Sequence, residues 1–320
     1  MSALLDVKNL SIDFKTSNGT VKAVENINFK IKEKEIFALV GESGSGKSTI
    51  AFSLMRLLAK NGIITNGSIN FNGQDVLKMT EKEMFDFRGK EIAMIFQNPL
   101  DSLNPVMTVG KQVLESLLLD NIPKEQALEE VIKIFEDVRI PDAKERIKSY
   151  PFELSGGMRQ RAMISMMISR KPLLLVADEP TTALDVTIQA QILKIIKRLK
   201  NEHNTSVLLI THDFGVVAET ADRVGVMYAG NLVEMGSLSD IFKETLHPYT
   251  KLLMKALPTI SKKEGRLVTI QGMVPNLIDP PAGCRFANRC PSAMEICTKV
   301  TPTLKNYSDE HYCACHLLEV

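Results

Sequence analysis

Residues 41–48 read Gly41-Glu42-Ser43-Gly44-Ser45-Gly46-Lys47-Ser48, with Thr49 next, a glycine-rich run that ends in an amine and two hydroxyls. It fits the spacing G-x-x-x-x-G-K-S/T. Glycines let the backbone curl so that successive N–H groups converge on phosphate oxygens. A helix starting there adds partial positive charge. In that geometry Lys47 reaches the terminal phosphates of a nucleoside triphosphate and the Ser48 hydroxyl ligates Mg²⁺. A second run, Leu173-Leu174-Leu175-Val176-Ala177-Asp178-Glu179, delivers two carboxylates after an apolar stretch. The C-terminal end of a central strand is where open α/β sheets bind ligands. There Asp178 would hold Mg²⁺ through water, and Glu179 would orient or deprotonate an attacking water. Taken alone, the same acids also suit the first turn of a helix.

The five cysteines stand at 284, 290, 297, 313 and 315, with none before. An odd, clustered set argues against a disulfide framework and for a local metal site. The spacing C-x5-C-x6-C-x15-C-x-C lacks the paired C-x-x-C knuckles of common zinc sites. Four thiolates suit an iron–sulfur cluster. Zinc and unliganded, packed cysteines are the alternatives. His311 and His316 are zinc-compatible, but read as surface residues.

These groups need a scaffold. Leu10, Ile12 and Phe14 alternate with polar residues, as do Ile27, Phe29 and Ile31, and Asn18-Gly19 between them signals a hairpin. The wholly apolar run 36–40 suits a strand buried on both faces, followed by a helix over 48–59. A buried strand is expected at 92–96. Helices follow over 109–137, with Pro123 near the start of a second one. The helix 158–169 comes after Gly156-Gly157 and ends at Pro172. Strand 173–177, helix 186–203, strand 206–211, helix 214–221 and strand 223–228 then alternate, predicting an α/β fold with a largely parallel sheet. An edge strand at 230–235 and a helix over 237–256 complete this part. The proline-rich stretch 258–283 reads as a linker into a small loop-rich appendage.

Lys plus Arg number 39 and Asp plus Glu 38, for a net charge of +1, so no broad basic field for nucleic acid is expected. No stretch approaches the roughly 20 apolar residues that span a bilayer. The N-terminus lacks the basic-then-apolar pattern of a signal peptide. The expected place is cytoplasmic, with any membrane part carried by another chain.

Leu154-Ser155-Gly156-Gly157-Met158 lies between the two phosphate-site elements and precedes a helix. Together the three elements resemble the ATP-binding cassette (ABC) ATPase family, with Met158 in place of the usual Gln. The resemblance implies a P-loop NTPase cassette: an N-terminal antiparallel β subdomain, a mostly parallel core sheet, an inserted helical subdomain at about 98–170 and the cysteine-containing tail. It divides the chain into an ATPase domain, 1–257, and an extension, 258–320. It also implies head-to-tail pairing of two cassettes, with Ser155 and Gly157 contacting the γ-phosphate of the opposite subunit. Gln97 matches the loop glutamine that touches Mg²⁺. Asp185, in Ala183-Leu184-Asp185, matches a loop that crosses the dimer interface, though it equally suits a helix cap. His212 matches the histidine that senses γ-phosphate. Phe14 matches the aromatic that stacks on adenine, while also continuing the apolar face of Leu10 and Ile12. The interval between Gln97 and Ser155 leaves no room for a long coiled coil, which disfavours chromosome-maintenance relatives.

His247-Pro248-Tyr249-Thr250, Pro280-Pro281-Ala282-Gly283-Cys284-Arg285-Phe286 and Cys290-Pro291 resemble the C-terminal region of dipeptide/oligopeptide importer ATPases, shared with some nickel importers. This implies ATP hydrolysis on the cytoplasmic side of the membrane. The implied partners are a second cassette (a sister chain or an identical one), two membrane permease subunits and an extracytoplasmic peptide-binding protein, with no nucleic acid. It also implies a four-iron–four-sulfur (4Fe-4S) cluster on Cys284, Cys290, Cys297 and Cys315, with Cys313 the extra thiol. Nickel uptake, and a soluble ABC ATPase acting as a regulator, are the rival readings.

Overall fold

The computed structural model describes residues 3–98, 102–182, 184–256 and 270–319 of the 320-residue chain. They fall into two compact units, Met1–Lys78 with Ile210–Val320, and Met79–Leu209.

The first unit opens with an antiparallel sheet. Strands β1 (Ala3–Thr16) and β2 (Gly19–Lys32) pair as a hairpin, and β1 also pairs with β4 (Gly62–Phe71), which is followed by the short β5 (Gln74–Asp75). Thr16 faces Gly19, so the hairpin turn is Ser17-Asn18, one residue before the expected pair. Between β2 and β4 run β3 (Ile36–Val40), buried at every position, and helix α1 (Lys47–Leu54). A continuous apolar strand is what a sheet covered on both faces requires.

In the second unit, α2 (Glu81–Lys90) leads into β6 (Ile92–Ile95). Among the described residues α3 (Val109–Leu118), α4 (Lys124–Asp137), α5 (Ala143–Arg146) and α6 (Gly156–Ile168) follow. Pro123 is the N-cap of α4, where its missing N–H costs nothing. The next strand, β7 (Leu174–Asp178), is wholly buried and pairs in parallel with β6; α7 (Val186–His203) and β8 (Ser206–Thr211) complete the alternation.

The chain then returns to the first unit through α8 (Phe214–Thr220), β9 (Arg223–Tyr228) and β10 (Asn231–Ser237). Strand β9 runs parallel to β3, while β10 is antiparallel to β9. The helix expected over 237–256 is two helices, α9 (Leu238–Lys243) and α10 (Pro248–Lys255). Pro248 explains the break, because it lacks an N–H and drives the residue before it out of the helical region. His247 is accordingly extended (φ −75°, ψ 133°). The expected boundary at 257–258 and residues 258–269 of the proline-rich linker lie outside the described residues. Beyond them are the short α11 (Glu295–Lys299) and two strands, β11 (Lys305–Ser308) and β12 (His311–Cys313). Strand β12 pairs with β10, so β10 is not the edge strand that its sequence predicts. Tyr228, Tyr249 and Phe286 are buried together, their ring centroids 4.7–5.3 Å apart. Phe286 thereby makes the tail part of the core around β9 and α10. Among the described residues no helix is long and apolar enough to cross a membrane.

Candidate functional site

The run 41–48 joins β3 to α1, the strand–loop–helix setting that its spacing demands. Gly41 has φ +153°, and a Cβ there would stand 2.1 Å from the Met227 carbonyl oxygen. Gly46, the N-cap of α1, has φ +97°, and a Cβ would lie 2.6 Å from the Ala23 oxygen. Both positions therefore exclude side chains. Gly46 brings no side chain to cap the first turn of α1. The Lys47 ammonium is buried at the loop's centre. It donates to the Gly41 and Glu42 carbonyls at 2.8 and 2.9 Å and to Ser45 Oγ at 3.3 Å. A cation ringed by backbone dipoles beside a helix N-terminus is an anion-binding arrangement. Ser43, Gly44 and Ser48 are exposed at its mouth and Thr49 is half-buried.

In the second unit β7 ends at buried Asp178. Glu179 follows in a left-handed conformation, φ +47°. Backbone strain of this kind in a non-glycine residue costs of order 1–3 kcal/mol and concentrates at functional sites. Its carboxylate accepts from Gln97 Nε2 and Thr182 Oγ, both at 2.9 Å. The structure thus joins Gln97 to Glu179, a pairing that spacing alone did not reveal, and adds Thr182 to the set. Gln160, buried on α6, donates to the Pro180 carbonyl at 2.7 Å and steadies the same turn. The arrangement fixes a carboxylate at a strand end, as base catalysis requires.

Ser155 is the N-cap of α6, its Oγ accepting from Met158 N–H at 3.4 Å. Gly157 packs against α7, where a Cβ would meet Ile188 at 2.9 Å. Asp185 caps α7, accepting from Ile188 N–H at 2.9 Å, so the cap reading holds; Ala183 lies outside the described residues. His212 is exposed immediately after β8, and the next residue, Asp213, caps α8. Phe14 is half-buried, its ring over Gly62, whereas Leu10 and Ile12 are fully buried. Its ring is therefore only partly committed to the core.

Of the five cysteines, Cys297, Cys313 and Cys315 are buried and Cys284 and Cys290 half-buried, with no disulfide among them. Burial pushes Cys284 up to about 11, and the neighbouring Cys297, Cys315 and Cys290 add to the shift. Burial also raises Cys315, again with Cys290 and Cys297 contributing. Cys313 sits on β12 opposite Glu234; burial and then that carboxylate raise it strongly. His311 and His316 are not surface residues. His311 is 1% exposed with Nε2 3.0 Å from Glu234 Oε1, and His316 is 5% exposed with Nε2 2.9 Å from the Val300 oxygen. Both rings are held by polar partners in the core. Among the described residues no group of three or more His, Cys, Asp or Glu stands ready to hold a metal ion.

The tail also meets the glycine-rich loop. Arg289, just before Cys290, donates to Glu42 Oε2 at 2.9 Å, and Tyr249 Oη accepts from the Glu42 N–H at 3.1 Å. Arg285 donates to Glu25 and to the Ala229 and Lys22 carbonyls. Sequence reasoning missed all three. The only signal was that Tyr249 and Arg285 stand in the stretches 247–250 and 280–286, with Arg289 next to Cys290-Pro291.

The sequence model of the family described as "ABC transporter" matches residues 24–182, and that of "Oligopeptide/dipeptide transporter, C-terminal region" matches 233–297. The oligopeptide transport ATP-binding protein OppD of Salmonella typhimurium is 48% identical over 98% of this chain and 93% of its own. The dipeptide transport ATP-binding protein DppD of Bacillus subtilis is 47% identical over 99% and 95%. The chain belongs to the ATP-binding proteins of oligopeptide and dipeptide ABC transporters. Its fold accords with that family. The dimeric ATP-binding cassette MJ0796 bound to ADP and Pi has a TM-score of 0.66 at 25% identity, covering 73% of this chain and 98% of that one. Within the oligopeptide/dipeptide family region fall His247, Tyr249, Cys284, Arg285, Arg289, Cys290 and Cys297. The three side chains missed from sequence are thus inside the segment that distinguishes this family from other ABC ATPases.

Proposed function

We propose that this chain is the ATP-hydrolysing subunit of an ABC importer that drives uptake of dipeptides or oligopeptides. One observation carries the reading. A phosphate loop with a buried central lysine stands in a chain nearly half identical, end to end, to oligopeptide and dipeptide transport ATP-binding proteins. Lys47, the N–H groups of 41–49 and stacking by Phe14 bind ATP. Ser48, Asp178 and Gln97 would hold Mg²⁺, which when bound offsets charge on the phosphates. Glu179, oriented by Gln97 and Thr182, directs water in line at the γ-phosphate, and His212 senses that group. Ser155 and Gly157 serve the nucleotide of a paired cassette, and Asp185 lies at the interface between the two. That cassette is a sister chain, with two membrane permeases and an extracytoplasmic peptide-binding protein completing the assembly at the cytoplasmic face of the membrane. No nucleic acid takes part. The functional division is an ATPase domain, 1–257, with its helical subdomain at about 98–170, and the extension 258–320.

Cys284, Cys290, Cys297 and Cys315 would hold a 4Fe-4S cluster, which when bound supplies folding free energy to a loop-rich tail. The neighbouring thiols that add to the upward shifts of Cys284 and Cys315 support that set, while burial and then Glu234 raise Cys313.

Uptake tests the function. Cells lacking this chain should lose uptake of labelled tripeptide, regain it with the wild-type chain and fail to regain it with Lys47→Ala. Loss of nickel uptake instead, or no uptake defect and no co-purifying membrane protein, would favour the rival readings.

A further inference from the structure

We infer that Arg289 is a positioning residue of the nucleotide site: it holds and neutralises Glu42, and so ties the geometry of the phosphate loop to the cysteine-bearing tail. The inference rests on the reading of 41–48 as the ATP site.

Glu42 sets a carboxylate within an anion-binding loop. A carboxylate one position from Gly41 repels a triphosphate, and Coulomb repulsion at short range in a partly buried site is not small. The tail removes that conflict. The Arg289 guanidinium donates to Glu42 Oε2 at 2.9 Å, with the arginine side chain 6% and the glutamate 27% exposed. Arg289 itself is held from several directions. It donates to Tyr228 Oη at 3.2 Å, to the Gln271 carbonyl at 3.0 Å and to the Ile270 carbonyl at 3.2 Å. Its guanidinium carbon lies 5.6 Å from the centre of the Tyr228 ring.

Glu42 is gripped at its backbone as well. Its N–H donates to Tyr249 Oη, and its carbonyl accepts from Lys47 Nζ at 2.9 Å and from Ser45 N–H at 3.2 Å. Contacts therefore run without a gap from the tail, through Glu42, to the lysine that faces the phosphates. Arg289 ends the 3₁₀ turn Ala287–Arg289, which lies between Cys284 and Cys290. Whatever orders those two cysteines orders the arginine, and an ordered arginine keeps the loop electrically receptive.

The decisive feature of the test is a rescue that a merely structural arginine would not give. Affinity for a fluorescent non-hydrolysable ATP analogue is measured on the full chain, beside thermal melting. Arg289→Met should raise Kd about tenfold, the scale of one unpaired charge near the phosphates, and more at low salt. Arg289→Lys should stay within about threefold of wild type, because the cation remains. Adding Glu42→Gln to Arg289→Met should restore affinity to within about threefold, since the offending carboxylate is gone. In steady state, Arg289→Met should raise KM with kcat little changed. Should Arg289→Met not fold, Arg289→Gln, which keeps donors without the charge, carries the same expectation. Unchanged affinity in Arg289→Met, or a loss that Glu42→Gln fails to rescue, overturns the proposal while leaving the ATP site standing. Failure of the wild-type chain to bind the analogue overturns the site reading and this proposal together. Loss of binding in Lys47→Ala with normal binding by the wild type separates the two.

Discussion

Glu179 concentrates the chemistry in one residue. Its backbone is strained at φ +47°, and two donors hold its carboxylate. Replacing the acid by its amide keeps the shape and removes the base. Glu179→Gln should therefore retain ATP binding, while turnover falls by about 10²-fold or more, the scale of losing one key catalytic group. Phosphate release and nucleotide affinity, measured side by side, check this; near-wild-type turnover would remove Glu179 from its role. The position of this acid was legible because Asp178-Glu179 ends a continuous apolar run. Its conformation and its link to Gln97 were not, because both depend on where loops distant in the chain return.

At the level of elements, the break at His247-Pro248 shows how a local rule reaches a distant strand. His247 Nδ1 accepts from Tyr249 N–H and caps α10, while the N–H groups of Leu246 and His247 donate to the buried Glu234 of β10 at 2.7 and 3.0 Å. Burial lowers the His247 pKa from 6.5 to about 4. The folded chain keeps the ring neutral, and the unfolded chain takes up a proton at the ordinary value. Stability is thus fully present above about pH 6.5 and is lost as pH falls from there toward 4, by up to about 3 kcal/mol. His247→Asn keeps an acceptor for the cap and removes the titration. Denaturant unfolding at pH 7 and pH 5 should show a smaller loss in the variant than in the wild type; equal losses would place the acid sensitivity elsewhere. Proline chemistry made a boundary near 247 readable. One apolar periodicity over 237–256 concealed it, since both short helices bury the same kind of face.

For the whole molecule, the tail is the part whose role composition described least well. Its strands β11 and β12 extend the sheet at β10, and Phe286 enters the aromatic core. Anaerobically purified protein should contain about four irons and four acid-labile sulfides per chain, the stoichiometry of the cluster. Cys290→Ser should lose both. Zinc near one per chain, or no metal, would refute the cluster.

Motif and alternation were determined by the sequence itself, because phosphate binding and buried parallel strands constrain neighbouring residues directly. Phosphate loop, acidic strand end and the order of strands and helices are all local patterns of backbone conformation and apolar period. Long-range pairing was decided by tertiary structure alone. The burial of His311 and His316, the covering of β10 and the Arg289–Glu42 contact join residues far apart in the chain, and no local propensity encodes such partners.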